Sequence, residues 1–536
     1  MKITAALILA LTSLHLTPAM ADTDKGTFYR SFSTDPRALN PLVEEDAYAH
    51  LIHTYTLDSL LARDENTWKY IPALATSFEV SKDGTIFTFK LRQGVKWSDG
   101  QPFTAEDVKY SFDEYFQDRF PNPTMKDFLS GIKEVKILDP TTVQFTTKEL
   151  YFKNFNVAAE MTIVPKHFYE AGDAKDPKFN RELVGTGPYV LSEWAKGQKL
   201  VLKKNPTYWG KDLPYYKDRF HFQRILFRPI QEEAVELELI KKGDIDFLGL
   251  TPEQYLKKTE GPEWGTKLIK VKTTNSAPQN FTFGFIGWNE THPFFKDRDV
   301  RMALSQLVNR DFMIEKFLYG MHEKATGPFG NKSTASSPKV KAVEYNPKNA
   351  LALLEKNGWK LGPNGLAKTI DGKETPFEFT VLNPNQDSEK YLTVIKEDMK
   401  KVGITMNIKL VEWNSFTKLL DERKFDAMVL AWQVSDLEDD PKEIWHSASI
   451  PSPGKNFISY SNPEVDKLID TLRKTMNEPK RREMLHKLHE IIAADQPYSF
   501  LFNRKFTMYA HTSRIKKAQD TLKYAVGINT WMIKPE

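Results

Sequence analysis

Histidine and acidic side chains are the residues of this sequence whose types could do chemistry, but their spacing matches no catalytic motif. The pairs His322-Glu323 and His489-Glu490 lack the second histidine of the H-E-x-x-H zinc-protease motif. His486 and His489 share one face of a strongly charged predicted helix, and two ligands do not close a zinc site that needs three or four. We therefore expect exposed surface histidines and no metal site.

Other catalytic signatures are also absent from the sequence. It contains no G-x-x-x-x-G-K-[ST] phosphate loop and no G-x-S-x-G nucleophile elbow, and the absence of cysteine excludes a thiol nucleophile. We predict that the protein is not an enzyme and has no catalytic residue and no cofactor. A secreted hydrolase is the alternative from another class, and it requires a nucleophile–base pair or a metal triad.

The most acidic short stretch follows a predicted strand and reads WQVSDLEDDP over residues 432–441. Its carboxylates are of the type that pairs with a buried ammonium group, which is very costly to bury unpaired. Asp440 before Pro441 also matches the N-cap and first residue of a helix, so we assign Asp440 mostly a capping role. The stretch is therefore either a binding loop or an acidic helix cap.

The N-terminus has the three parts of a secretory signal peptide. Lys2 gives a positive start, residues 3–16 are almost uncharged and mostly apolar, and Ala19-Met-Ala21 supplies a cleavage site after Ala21. A membrane anchor is the alternative, but the apolar run is shorter than the ~20 residues that span a bilayer. Because there is no cysteine to carry a lipid anchor, we predict a free periplasmic protein.

The composition is that of an ordinary globular chain, with 27% charged and 40% hydrophobic residues. The net charge of +4 is spread over mixed signs, which argues against a nucleic-acid partner. No later stretch is long and uncharged enough to span a membrane. A chain of 536 residues predicts two or three domains, yet no linker divides it, so we expect lobes that exchange strands in a monomer.

Strand and helix patterns alternate along the chain and predict an α/β fold. The Asp-Gly pair at 83–84 predicts a hairpin, and Thr104 predicts the start of the helix that follows. Asp299 predicts the cap of a later helix. Residues 404–411 and 425–432 predict strands on either side of a helix.

One long segment carries a family resemblance. Residues 72–108, PALATSFEVSKDGTIFTFKLRQGVKWSDGQPFTAEDV, closely resemble the signature of the family 5 bacterial extracellular solute-binding proteins. These proteins are the peptide, dipeptide, oligopeptide and nickel receptors of ABC importers. Further matches follow in the family's order: GTGPY at 185–189, NPTYW at 205–209, KGDID at 242–246, FKDRDVRMAL at 295–304, FDAMVLAW at 425–432 and YSNPEVD at 460–466.

The resemblance implies a two-lobed α/β periplasmic-binding-protein fold of the cluster C type, with an extra domain inserted in the first lobe. It implies hinge strands near 276–281 and 494–498, about which the lobes close over a ligand. The implied divisions are a signal peptide at 1–21, lobe I at 22–50, 181–276 and 495–536, an inserted domain at 51–180 and lobe II at 277–494.

The function implied by the resemblance is capture of a solute in the cleft and delivery to an inner-membrane ABC permease. The pattern is closest to oligopeptide-binding members, so we expect a peptide. An oligosaccharide, an opine or a metal chelate is the alternative cargo, because a fold does not determine its ligand.

The resemblance also implies site residues. Peptide-binding relatives carry a Trp and then an Asp that pairs with the peptide amine. Asp436 is the nearest match to that Asp, although its spacing to Pro441 is one residue longer here, and Asp439 or Asp440 could contribute instead. Trp413 matches a pocket Trp, with a buried core Trp as the alternative. Our candidate ligand-binding residues are Phe32, Ser33, Thr34, Trp413, Trp432, Gln433, Val434, Asp436 and Asp439, with Tyr48 and His53 as secondary candidates and Arg301 as a structural residue.

Overall fold

The computed structural model describes residues 25–43, 46–434, 436–452 and 454–535. The predicted signal peptide, residues 1–21, lies outside this part of the chain. No helix among the described residues is both long enough and apolar enough to cross a membrane.

Two sheets form the part of the chain that we call lobe I. The strand Thr27–Phe32 pairs in parallel with Arg224–Pro229, and Phe28 stacks on Phe222 with ring centroids 4.4 Å apart. The helix Glu233–Lys242 ends at a glycine in the left-handed conformation, a common helix stop. The strands in spatial order are Thr27–Phe32, Arg224–Pro229, Lys199–Lys204 and Tyr189–Ala195 in one sheet, and Phe247–Gly249, Thr507–Thr512 and Leu268–Thr273 in the other. The other elements are helix Ala47–Thr56, π-helix Gln254–Lys258, 3-10 helix Ile528–Thr530 and the strand pair Ile515–Lys516 and Met532–Ile533.

An antiparallel sheet with its own aromatic core forms the inserted domain. Phe87, Phe89 and Phe145 are fully buried there. The predicted hairpin is confirmed, and the Asp107 carboxylate accepts the Thr104 backbone N–H at 2.8 Å, which confirms the predicted helix start. The strands are Ala75–Val80, Ile86–Leu91, Thr142–Thr147 and Ile132–Asp139 in spatial order, with the hairpin Leu61–Arg63 and Tyr70–Pro72 beside them. The helices are Ala105–Glu114, Pro123–Phe128, Asn154–Glu160, Lys166–Tyr169 and Pro177–Arg181.

A six-stranded mixed sheet forms the centre of lobe II, with helices packed against it. Its strands in spatial order are His322–Lys324, Tyr498–Arg504, Phe283–Trp288, Ala427–Trp432, Glu378–Asn383 and Thr405–Leu410. A small antiparallel sheet contains Lys360–Gly362, Gly365–Ile370 and Lys373–Pro376. The α-helices are Arg298–Gln306, Arg310–Lys316, Pro347–Lys356, Glu389–Lys400, Trp413–Asp421, Lys442–Trp445, Pro463–Arg473 and Glu478–Asp495. The 3-10 helices are Pro278–Phe281, Gln386–Ser388 and Ser447–Ser449.

The chain passes between the two lobes twice, at residues 274–282 and 505–506. The strand Tyr498–Arg504 pairs with Phe283–Trp288 inside lobe II, so the second passage comes later than the predicted hinge strand at 494–498. The buried Asn280 amide donates to Asn275 at 2.6 Å within the first passage and to Thr507 at 3.1 Å, directly after the second, and this last bond connects the two passages. The adjacent crossings are the structural basis of a hinge between the lobes.

The prediction of exposed histidines is wrong for His489. Its side chain is fully buried at 0% exposure, and its Nδ1 accepts the Ser337 backbone N–H at 2.8 Å. Burial lowers the pKa of His489 to about 4. Most of the charged residues of this helix lie on its solvent side, and His489 lies on the opposite side with Leu485 and Ile492.

The predicted cap Asp299 is also wrong, whereas the structural role of Arg301 is confirmed. Asp297 caps the helix, and its carboxylate accepts the Asp299 backbone N–H at 2.8 Å. Asp299 lies in the first turn and pairs with Lys356 at 2.9 Å. The buried Arg301 guanidinium donates to backbone carbonyl groups, including that of Phe295 at 2.8 Å.

Candidate functional site

The strand Ala427–Trp432 is followed by the acidic stretch, whose described residues, 433–434 and 436–441, we call the acidic loop. Two of its carboxylates pair with arginines of lobe II itself. Glu438 accepts two bonds from the Arg481 guanidinium, the Nη2–Oε2 bond being 2.9 Å, and Asp440 pairs with Arg473. These pairs fix the far end of the loop to the helices that follow it.

Asp436 and Asp439 lie on either side of a single cation. The Lys153 ammonium nitrogen is 3.5 Å from an oxygen of each carboxylate. Burial raises the pKa of Asp439. The positive charge of Lys153 opposes this rise, and the negative charge of Asp436 adds to it. Among the ion pairs of the described residues, these two carboxylates share the single ammonium of Lys153.

The other oxygen of Asp436 accepts the Trp68 indole N–H at 3.3 Å and the Leu437 backbone N–H at 2.7 Å. Trp68 and Lys153 both belong to the inserted domain. The predicted ammonium partner therefore already contacts donors of another domain. A carboxylate offers about four acceptor positions, so these contacts do not exhaust Asp436.

Asp440 has the predicted capping role and further contacts. Its carboxylate accepts the Lys442 backbone N–H at 3.0 Å at the start of the helix Lys442–Trp445, so Asp440 makes a capping bond, although the N-cap position itself is Pro441, one residue later than predicted. The Tyr151 hydroxyl of the inserted domain also donates to Asp440, at 2.8 Å. Burial and the neighbouring Asp440 raise the pKa of Tyr151, so this hydroxyl remains protonated.

Trp432, at the end of the strand before the acidic loop, is half-buried on the lobe II core. Its ring stacks on Phe457 with centroids 6.0 Å apart, and its indole N–H is 3.3 Å from the Tyr498 hydroxyl. Gln433 is exposed beside it, and Val434 is half-buried. Trp432 therefore packs against lobe II and presents only part of its surface to solvent.

Trp413 is an exposed aromatic residue, not a core residue. It opens the helix Trp413–Asp421, is 52% exposed, and stacks on Phe416 with centroids 5.8 Å apart. The alternative of a buried core Trp is therefore wrong. An indole held by packing on one face and open on the other can contact an apolar ligand group.

The lobe I candidates divide into buried and exposed residues. Phe32 is buried against Phe227, with ring centroids 5.7 Å apart. Ser33 and Thr34 follow it and are exposed, and the Ser33 hydroxyl contacts the Tyr48 hydroxyl. His53 is buried, with Nε2 2.9 Å from the Leu39 carbonyl oxygen, which is a structural position.

Sequence reasoning missed three residues that meet the acidic loop: Trp68, Tyr151 and Lys153. Trp68 adopts φ 59°, an uncommon left-handed backbone for a bulky residue, within a loop organised by the Asp64 carboxylate. No local pattern marks these residues, because their partners are 283 to 368 positions away in sequence. Among the described residues no cluster of three or more His, Cys, Asp or Glu side chains could hold a metal ion.

Comparison with known proteins defines the class. Residues 69–449 match the model of the bacterial extracellular solute-binding proteins, family 5, and the chain belongs to this family. It is similar to the oligopeptide-binding protein AppA of Bacillus subtilis (strain 168), with 28% identity over 485 residues, covering 87% of this chain and 84% of that protein.

Solved structures show the same fold. AppA from Bacillus subtilis in complex with a nonapeptide superposes with a TM-score of 0.75 at 26% identity, covering 95% of this chain and 99% of that one. NikZ from Campylobacter jejuni in complex with Ni(L-His) also superposes with a TM-score of 0.75, at 24% identity and with the same coverage of both chains. The predicted family and the two-lobed α/β fold are confirmed, and the class of protein is a solute-binding receptor.

Proposed function

We propose that this protein is the periplasmic substrate-binding component of an ABC importer, which captures peptides between its lobes and delivers them to an inner-membrane permease. The observation that carries the proposal is the likeness to an oligopeptide-binding protein over 87% of the chain. Solute capture requires no bond-breaking step, since binding selects the closed arrangement of the lobes. We propose accordingly that the protein has no enzymatic activity.

The acidic loop supports a peptide cargo because it has the charge that a peptide amine requires. Asp436 and Asp439 face one ammonium, that of Lys153. With a ligand ammonium bound beside Lys153, two cations would face the two carboxylates, and the charges would balance. We propose that Asp436, with Asp439 beside it, accepts the peptide amine.

The remaining predicted residues supply the other contacts. We propose that the exposed Trp413 ring contacts a ligand side chain. We propose that Ser33 and Thr34 pair through their backbone with an extended peptide, as in strand addition. The full proposed set is Phe32, Ser33, Thr34, Trp413, Trp432, Gln433, Val434, Asp436 and Asp439.

We further propose the cellular context that the sequence predicts: export, cleavage after Ala21, no lipid anchor and a monomeric state. The predicted division into a signal peptide, two lobes and an inserted domain is part of the same proposal, with two boundaries moved, because the helix Ala47–Thr56 packs in the lobe I core and the strand Tyr498–Arg504 pairs within lobe II. The division is supported by the main hydrophobic cores of the three parts and by the two chain passages between the lobes.

A thermal-shift screen tests the proposed cargo. A ligand that binds only the folded protein stabilises it by about 2.7 kcal/mol at a hundredfold excess over Kd, so it raises Tm. We expect pools of free-amine peptides to raise Tm, and oligosaccharides, opines and a nickel–histidine chelate to leave it unchanged. Absence of a shift with every peptide pool would contradict the proposal, and a shift with one of the other solutes would identify a non-peptide cargo.

A further inference from the structure

A short segment of the inserted domain docks into lobe II. Phe152 is only 6% exposed and packs within the lobe II core, where the Arg481 guanidinium lies 4.5 Å from its ring centroid. Its backbone N–H donates to the Arg473 carbonyl oxygen at 2.9 Å. An aromatic residue of one domain thus completes the core of another.

The residues on both sides of Phe152 bind the acidic loop. The Tyr151 hydroxyl donates to Asp440, and the Arg473 guanidinium lies 4.3 Å from the Tyr151 ring centroid. Lys153 reaches Asp436 and Asp439 with a side chain that is only 15% exposed. Partial burial makes such an ion pair stronger than a pair at the open surface.

Trp68 is a second anchor, at the point where all three parts of the protein meet. Its indole donates to Asp436 of lobe II, and its ring lies 5.4 Å from that of Tyr524 in lobe I. The Tyr524 backbone N–H donates to the Glu65 carbonyl oxygen at 2.9 Å. A bulky residue in the left-handed conformation persists only where its surroundings hold it, and such residues concentrate at ligand clamps and switch regions.

We propose that residues 151–153 and Trp68 form a latch through which the inserted domain holds the acidic loop of lobe II when the lobes are closed. Tyr151, Lys153 and Trp68 are positioning residues: they act on the loop and need not touch the cargo. Because affinity depends on how strongly the closed state is favoured, the latch contributes to the affinity for any cargo that binds between the closed lobes. This inference rests on the two-lobed fold and not on the identity of the cargo.

Because the sequence contains no cysteine, spin labels attach only to introduced cysteines, and the distance between two labels can be measured directly. Spin labels at S130C, on the inserted domain, and T393C, on lobe II, would occupy exposed positions. In the doubly labelled parent protein we expect a population with a short distance between the two labels, which corresponds to the closed lobes. K153M should lower the ratio of short to long distances about fivefold, the factor that corresponds to about 1 kcal/mol. K148M changes an exposed lysine of the same loop and should leave the ratio unchanged.

A charge exchange tests whether the latch is ionic. K153D and D439K should each deplete the short-distance population, and the double variant K153D/D439K should recover it. A parent with only the long distance, an unchanged ratio in K153M, or a double variant no better than the singles would each overturn the latch.

Measurements of peptide binding distinguish a failure of this inference from a failure of the proposed function. K153M should weaken N-acetylated peptides by the same factor by which it lowers the short-to-long ratio, whereas free-amine peptides should lose less, because removal of the Lys153 ammonium leaves both carboxylates to the peptide amine. If no peptide binds the parent but K153M shifts the distances, the proposed cargo fails and the latch stands. If peptides bind but K153M changes neither the distances nor the affinity, the latch fails and the cargo stands.

Discussion

At the scale of single residues, the candidate site contains a few carboxylates that differ in their neighbours. The Asp440 carboxylate accepts the Lys442 backbone N–H and the Tyr151 hydroxyl and pairs with Arg473. Glu438 pairs with Arg481. Asp436 and Asp439 share one lysine and keep acceptor capacity. Residue type alone does not separate these roles, because all four carboxylates lie within five consecutive positions.

Replacing Asp436 tests the amine site. We expect D436N to weaken binding of free-amine peptides about tenfold, equivalent to about 1.4 kcal/mol, because an amide cannot balance an ammonium charge. N-acetylated versions of the same peptides should lose much less, and titration calorimetry of the matched pairs measures the difference. D421N, at an exposed carboxylate of lobe II, is the control. Equal losses for both peptide types would exclude the amine role.

Burial of His489 predicts a pH dependence of stability. Its folded pKa of about 4 lies below the ordinary value of 6.5, so the unfolded chain binds more protons between these values. This contribution is complete above pH 6.5 and is lost as pH falls towards 4, by an amount on the order of 3 kcal/mol. H489N keeps an acceptor for the Ser337 N–H and should flatten that slope in denaturant titrations. H486N on the same helix should keep the slope, and an unchanged slope in H489N would contradict the assignment.

At the scale of elements, strand and helix ends bring the candidate residues into position. The strand Ala427–Trp432 ends at the acidic loop, and the strand Thr405–Leu410 ends just before Trp413. The two strands belong to one sheet, and the strand Glu378–Asn383 lies between them and runs parallel to both. The two loops therefore leave the same edge of the sheet, which is where ligands bind in open α/β sheets.

Trp413 offers a test at this scale because its exposure separates binding from folding. W413A should weaken peptide binding by about 1–3 kcal/mol, an ordinary cost for an interfacial aromatic anchor, while Tm changes little. W432A removes a half-buried ring that packs on Phe457 and should lower Tm clearly. A large fall in Tm for W413A, or no change in its affinity, would contradict the assignment of Trp413 to the ligand.

At the scale of the whole molecule, three parts meet at the acidic loop. The inserted domain supplies Trp68 and residues 151–153, lobe I supplies Tyr524 beside Trp68, and lobe II supplies the loop itself. The two passages near Asn280 and Thr507 are joined by a hydrogen bond. Domain docking therefore involves the same acidic loop to which we assign the peptide amine.

The predictions from sequence succeeded where the information is local. The Asp-Gly hairpin and the Thr104 helix start each depend on residues a few positions apart, and both are confirmed. The capping bond of Asp440 is also local, and it is present one position before the N-cap Pro441. The prediction failed for His489 and for the cap at Asp299. In the first case the packing of the helix decides which face is buried, and in the second the helix begins two positions earlier, where the Asp297 carboxylate accepts the backbone N–H of Asp299 itself.

The sequence by itself determined the family, the α/β class and the acidic loop as a candidate site, because ordered motifs and short-range patterns are present in the chain before it folds. Only the tertiary structure decided that Lys153 lies between Asp436 and Asp439, that Trp68 donates to Asp436 and that Trp413 is exposed. Contacts across hundreds of residues depend on how three separate cores pack together. No short stretch of sequence encodes that packing.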